Sequence, residues 1–255
     1  MNIYVCVEQV PDPDARIQLN ADSTGIASEG VKWVLSSCDE FAVEEALRLR
    51  EKNAGSTVTV LSTGPTRVVE AIRAAMAMGV DNGIHVETPE TADDNLTAKA
   101  LAGALKKEAK VDIVFTGKGD EDEGAQVSQL LSEFAGLPCV TLVLSAEYGA
   151  SSVKCKRAIE GGAFEIVECP LPAVIGVQNG INEPRFPSLL KTISARKKDV
   201  KALRMADVGV GDGDQKTRFK NFRLAPPKRV KKIPGGPVTQ AKELVRLLHE
   251  EAKVV

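Results

Sequence analysis

The chain of 255 residues is 43% hydrophobic, enough to bury a full core, and its formal net charge of -2 gives nucleic acid or an anionic membrane no electrostatic reason to bind. Aromatic residues make up only 4%, too few for a surface that stacks single-stranded bases, so aliphatic packing must supply the core. Five cysteines, at positions 6, 38, 139, 155 and 169, contain no C-x-x-C pair and are odd in number, which argues against a disulfide framework and predicts a reducing, cytoplasmic setting.

The first apolar run, residues 3–7, follows Met1-Asn2 without a basic leader or cleavage site, and no apolar run nears the roughly 18–20 residues that span a bilayer. It reads as a strand. So do residues 57–62, 83–86, 111–116 and 139–144, short apolar runs bounded by turn residues, as expected of strands buried on both faces. Between them, residues 39–52, 66–78, 95–109 and 122–134 carry apolar side chains at helical spacing, for example Phe41, Ala42, Ala46, Leu47 and Leu49. Asp39, Thr66 and Asn95 stand where these helices should start, and the acidic residues at 120–123 suit a helix N-terminus. Strand and helix in alternation predict a parallel, doubly wound, Rossmann-like α/β sheet with right-handed crossovers.

After residue 144 the period changes to two. Residues 153–159 and 164–169 read as an antiparallel β-hairpin around Glu160-Gly161-Gly162, and residues 173–177 as a last strand after Leu171-Pro172. Beyond residue 200 the composition turns to Gly, Asp, Pro, Lys and Arg, an extended arm, until residues 238–252 resume a helical pattern with Leu244, Val245, Leu247 and Leu248. The expected division is an α/β domain over 1–200 and an arm with a terminal helix over 201–255. That arm either docks on a partner or folds back on its own domain.

In open parallel sheets ligands bind beyond the carboxyl ends of the strands, near a topological switch point. Three such ends carry suggestive residues, at 6–12, 62–66 and 116–127. The third contains Gly117, Gly119 and Gly124, follows a strand and opens a helix, so its amides are placed to cradle a phosphate. It is neither G-x-G-x-x-G nor a Walker loop and carries four acidic residues, so a plain exposed loop is the alternative. With only His85 and His249 in the chain, no Ser-His-Asp arrangement or paired-histidine metal site is expected, and no catalytic residue is assigned. An adenine-nucleotide hydrolase or ATP-dependent ligase would need Ser/Lys chemistry and a paired magnesium carboxylate, and the 116–127 loop supplies only carboxylates. Cys6 and Cys38 read as small buried residues. The basic run 191–201 follows Pro184-Arg185-Phe186-Pro187-Ser188-Leu189-Leu190, an apolar anchor flanked by charge, which is the pattern of a protein-recognition hot spot.

Several motifs stand in a fixed order. They are Val10-Pro11-Asp12, Asp39-Glu40-Phe41-Ala42, Ser62-Thr63-Gly64-Pro65, Met78-Gly79-Val80-Asp81, the Arg157-x-x-Glu160-Gly161-Gly162 turn, Asn182-Glu183-Pro184-Arg185-Phe186-Pro187-Ser188-Leu189, and the closing run from Gly235. Together they resemble the electron transfer flavoprotein beta subunit (FixA) family over nearly the whole chain. The resemblance implies an adenine nucleotide alpha hydrolase-like α/β fold and a non-enzymatic electron carrier, one half of an alpha/beta heterodimer. Such a heterodimer moves electrons from flavin (acyl-CoA-type) dehydrogenases to an acceptor such as a membrane quinone oxidoreductase. FAD is shared with the alpha subunit, and the beta subunit holds AMP, or a second FAD in electron-bifurcating, NADH-linked members.

Carried over by position, the resemblance implies nucleotide contacts at Cys6, Ser36, Thr63, Asp122, Gly124, Ala125, Gln126 and Val127. It implies partner contacts at Arg185, Phe186 and Leu189 in a recognition loop at about 184–198, with Leu189 as the anchor that enters a dehydrogenase, and an arm over 201–255 that docks on the alpha subunit. The chain carries Ser36-Ser37-Cys38 where the family often has Asn-Pro-Phe or Asn-Pro-Tyr, Glu8 for a usual Lys, and Leu190 for a Pro.

Overall fold

The computed structural model describes residues 1–118, 126–226, 230 and 232–254. They form two units, Met1–Phe222 and Arg223–Val255. In the first, strand β1 (Asn2–Cys6) is followed by two three-residue strands, β2 (Gln9–Pro11) and β3 (Trp33–Leu35), which pair into a separate antiparallel ribbon. Helix α1 (Ser37–Lys52) leads to β4 (Thr57–Gly64), a 3-10 turn (Thr66–Val68), α2 (Val69–Met78) and β5 (Asn82–Glu87). Helix α3 (Asp94–Leu105), β6 (Ile113–Gly117), α4 (Val127–Ala135) and β7 (Cys139–Tyr148) continue the alternation. A hairpin of β8 (Ser152–Ala158) and β9 (Phe164–Pro170), then β10 (Ala173–Val177), α5 (Leu189–Ala195) and β11 (Val200–Arg204) complete it.

Among the described residues nine strands make one sheet in the order β11-β5-β4-β1-β6-β10-β7-β8-β9. It is parallel from β11 to β7, and antiparallel only where β8 and β9 fold back at one edge. The chain winds outward from β1 through β4 to β5, then α3 carries it across to β6 on the other side of β1. The switch point is therefore the gap between β1 and β6.

Burial explains why the strands read as unbroken apolar runs. Ile3 and Val5 point into one core with Leu47 of α1 and Ile72 of α2. Tyr4 and Cys6 point into the other with Leu96 of α3 and Leu131 of α4. Both faces of β1 are covered, so neither side of the pleat can be polar. Each fully buried Ile or Leu in these layers contributes about 1.5–3 kcal/mol.

Helix boundaries depart from the sequence expectation in instructive ways. The cap of α3 is Asp93, whose carboxylate accepts from the Leu96 amide at 2.9 Å, and not Asn95, which lies inside the first turn. Helix α1 starts with Ser36 in the cap position, three residues before Asp39, and Thr66 opens a 3-10 turn behind Pro65. The hairpin forms around residues 160–162 as expected, and the Leu171-Pro172 peptide that leads into β10 is cis.

The largest difference concerns the arm. Residues 201–204, expected to open the arm, continue from Val200 as an edge strand paired with β5, and the exposure of Lys201 and Arg204 on that edge is why the segment reads as polar. The chain then turns back through residues 205–214, and Val208 and Val210 seal the α3 core. Gly103 in α3 makes this possible, because a β-carbon there would collide with the Val208 carbonyl. The first unit ends only at Phe222.

In the second unit, α6 (Pro237–Arg246) begins with Pro at its first turn and runs on into a π-helical turn, Leu247–Ala252. Arg246 pairs with Glu243 and Glu250, each at 2.7 Å, while Val238, Leu244 and Val245 lie exposed. Among the described residues no helix is long and apolar enough to cross a membrane.

Candidate functional site

The carboxyl ends of β1, β4 and β6 stand side by side, and one side chain joins two of them across the switch point. Asp39, 6% exposed in the first turn of α1, accepts from the Glu8 amide through Oδ2 at 2.7 Å and from the Gly117 amide through Oδ1 at 3.0 Å. The approach is so close that a β-carbon at position 117 would collide with the Asp39 carboxylate and with the Cys38 backbone, so only glycine fits. Ser62 Oγ donates to the Val7 carbonyl at 2.5 Å, and Thr116 Oγ1 and Ser128 Oγ share a hydrogen bond of 2.7 Å. Five element ends, those of β1, β4 and β6 and the starts of α1 and α4, are thus fixed relative to one another.

These groups surround a cavity of about 80 Å³ lined by Cys6, Glu8, Thr63, Thr97, Leu101 and Val127, among others. Burial, and then the nearby Asp39 carboxylate, push the Cys6 thiol far up, so it is protonated at neutral pH. The cavity shares Glu8, Thr63, Thr97 and Val127 with a cleft of about 830 Å³.

Two tethered segments wall that cleft. On one side the Arg67 guanidinium lies 3.4 Å from the centroid of the Trp33 ring and donates to Gln9 at 2.5 Å and Glu90 at 2.6 Å, fastening the β2–β3 ribbon to the turn after β4. On the other, Asp93 Oδ2 accepts from the amides of Lys216 (2.7 Å) and Thr217 (2.6 Å) and from the Thr217 hydroxyl (3.1 Å). Burial pushes the Asp93 carboxyl up, but these bonds and the Leu96 amide outweigh it and hold it below the usual range. The segment so anchored carries Phe219 and Phe222, which meet edge to face with centroids 5.8 Å apart and line the cleft.

Of the nucleotide contacts expected from the sequence, Cys6, Thr63 and Val127 line the small cavity, and Gln126 lines the wide cleft. Ser36 is fully buried at the start of α1, and its hydroxyl has no partner among the described residues. Asp122, Gly124 and Ala125 lie outside the described residues. Sequence reasoning missed the roles of Asp39, Gly117, Asp93 and the 216–222 wall. The close approach of Gly117 to a helix start was in principle readable from a glycine ending an apolar strand. The far partners of Asp93 had no local signal.

A second surface forms where residues 182–188 cross α1. Phe186 is 98% exposed, and Leu189 and Leu190, opening α5, are 75% and 79% exposed. Arg185 turns the other way. Its guanidinium donates to Glu44 through Nε at 2.7 Å and to Glu51 at 2.6 Å. Burial pushes the Glu44 carboxyl up, yet hydrogen bonds from Arg185 and Arg48 more than reverse this and hold it below the ordinary range. Asn182 donates to the Phe41 carbonyl and to Glu45, both at 3.0 Å. His85 lies buried with Nε2 donating to the Gly64 carbonyl at 2.8 Å, and among the described residues no group of His, Cys, Asp and Glu side chains is arranged to hold a metal ion.

Fold and cleft define a Rossmann-like, doubly wound α/β protein with its crevice at the switch point. A family model described as electron transfer flavoprotein domain matches residues 23–208. The chain is 32% identical, over 100% of both chains, to the electron transfer flavoprotein subunit beta of Bacillus subtilis (strain 168). It is 34% identical to that of Syntrophomonas wolfei over 100% of this chain and 98% of the relative, and 36% identical to that of Homo sapiens over 82% and 84%. The chain belongs to the electron transfer flavoprotein beta-subunit family.

Proposed function

We propose that this chain is the beta subunit of a heterodimeric electron transfer flavoprotein, a cytoplasmic electron carrier and not a catalyst in its own right. Its partners are an alpha subunit, which shares the FAD, the flavin dehydrogenases that donate electrons, and an acceptor such as a membrane quinone oxidoreductase. The observation that carries the reading is the crevice in which Asp39 locks the ends of β1 and β6 together beside a cavity that opens on a wide cleft.

The residues present fit an adenylate. Leu101, Val127 and the protonated Cys6 offer an apolar side for a flat base, and Thr63 and Thr97 offer hydroxyls. The hydroxyls of Ser36 and Thr88 are buried without a partner among the described residues, and Thr88 lines the wide cleft. FAD, when bound, supplies the electron chemistry of the complex. This chain's residues hold the nucleotide, keep water from the crevice and present the docking surface at Phe186 and Leu189. We assign the phosphate to the loop that includes Asp122, Gly124, Ala125 and Gln126, and the second unit to contact with the alpha subunit.

A second reading, a second FAD in place of AMP, is favoured by one observation. The cavity continues into a cleft roomy enough for a larger ring system, with Phe219 and Phe222 along one side. Both readings are tested by co-expressing the chain with its alpha partner, denaturing the purified complex and quantifying the released nucleotides. One FAD and one AMP per heterodimer is the expected result. Two FAD would replace it with the second reading, and no nucleotide would overturn both.

A further inference from the structure

The loop 182–188 poses a physical problem. Beside it runs a groove lined by Leu35, Phe41, Ala74 and Met78, into which an unconstrained Phe186 would gain by folding, since that would take its apolar ring out of water. Yet Phe186 stands at the lip of that groove and is 98% exposed. What prevents collapse is a set of tethers on both sides of Pro184. Before it, Asn182 is bound to Glu45 and to the Phe41 carbonyl, and Arg48 donates to the Glu183 carbonyl at 3.3 Å. After it, the Arg185 amide and guanidinium both bind Glu44, and the same guanidinium reaches Glu51. Glu44 has 4% of its side chain exposed, so it is a fixed anchor and not a floating surface charge.

We propose that Arg185 is a positioning residue: it clamps the loop to α1 so that Phe186 and Leu189 are held out in solvent, ready for an apolar pocket on the electron-donating flavin dehydrogenase. Its guanidinium is already engaged by two carboxylates, so it is not itself the partner contact. The proposal rests on the docking role given above and adds the device that makes docking inexpensive, because a loop already held in its bound shape loses little freedom on association. The prolines at 184 and 187 act in the same sense.

The test uses the reconstituted alpha/beta complex with a flavin dehydrogenase as electron donor, and compares Leu189→Ala, Arg185→Met and Arg185→Lys. Leu189→Ala should raise the KM for the dehydrogenase about tenfold while backbone hydrogen exchange over 182–188 stays as in the parent. Arg185→Met should raise KM by a similar factor, about tenfold, with kcat within about twofold, and should also speed exchange of those amides; Arg185→Lys should fall between. Should Arg185→Met not fold, Glu51→Gln, at an exposed site, loosens the same clamp and should show the same pair of changes in smaller measure. A rise in KM without faster exchange would mean that Arg185 touches the partner directly and would overturn the positioning role. Parent-like KM and exchange in Arg185→Met beside a raised KM in Leu189→Ala would also overturn it, leaving the docking role intact. A parent-like KM in Leu189→Ala would remove the docking role itself.

Discussion

Asp39 shows how much of the site depends on a single carboxylate. Each oxygen accepts from the amide of a different strand end, and the group is buried, so its two bonds cannot be exchanged for bonds to water. Asp39→Asn keeps the shape but turns an NH2 toward one of the two amide donors. We expect it to cost about 1–3 kcal/mol in urea-induced unfolding and to lower the nucleotide content of the purified complex. A parent-like midpoint and content would show that the bridge is dispensable. In the sequence Asp39 is visible as the first acidic residue of a helix and as the head of the Asp39-Glu40-Phe41-Ala42 motif, and neither signals a bridge between two strand ends. Its partners at positions 8 and 117 become neighbours only when the strands pair. Arg185 was legible as a charged residue in a segment with the pattern of a recognition loop, but its engagement with Glu44 and Glu51 spans 141 and 134 residues and could not be read locally.

At the level of elements, legibility followed burial. The parallel strands are buried on both faces and announce themselves as apolar runs, and the hairpin announces itself by period two with a glycine turn. The ribbon strands β2 and β3, three residues each, are too short to show a period, and β11 is an edge whose exposed Lys and Arg mimic a solvated tail. Helix α3 illustrates a cap that does more than cap. Asp93 satisfies the Leu96 amide and also anchors the 216–217 backbone, so one carboxylate sets both the helix start and a wall of the cleft. Asp93→Ala should cost about 1–2 kcal/mol for the cap and free the 216–222 segment. Limited trypsin digestion should then cut faster at Lys216, Arg218 and Lys220 than in the parent; equal rates would show that the wall is held by other contacts.

For the whole molecule, the depressed carboxylates Glu44 and Asp93 predict how stability responds to acid. Their folded-state pKa values lie below the ordinary ones, 4.5 and 3.8, so the folded protein binds fewer protons than the unfolded chain in that range. The stabilisation they provide is therefore complete above about pH 5 and is lost as pH falls through the depressed values. Urea unfolding measured from neutral pH downward should show stability dropping below that point, with a shallower drop in Glu44→Gln; an unchanged slope would mean that the Arg185 and Arg48 bonds to Glu44 are no stronger than contacts with water.

Trp33 gives the molecule a further property. It is the only tryptophan in the chain, and it lies beneath Arg67, a side chain that itself lines the wide cleft. Any ligand that draws the guanidinium away from the indole alters the surroundings of the sole ultraviolet-emitting indole, without a label and without a second indole to mask the signal. For the isolated chain, a change in indole emission on adding an adenine nucleotide is therefore the expected optical sign that the cleft is occupied, and an unchanged spectrum would show that Arg67 stays on the ring.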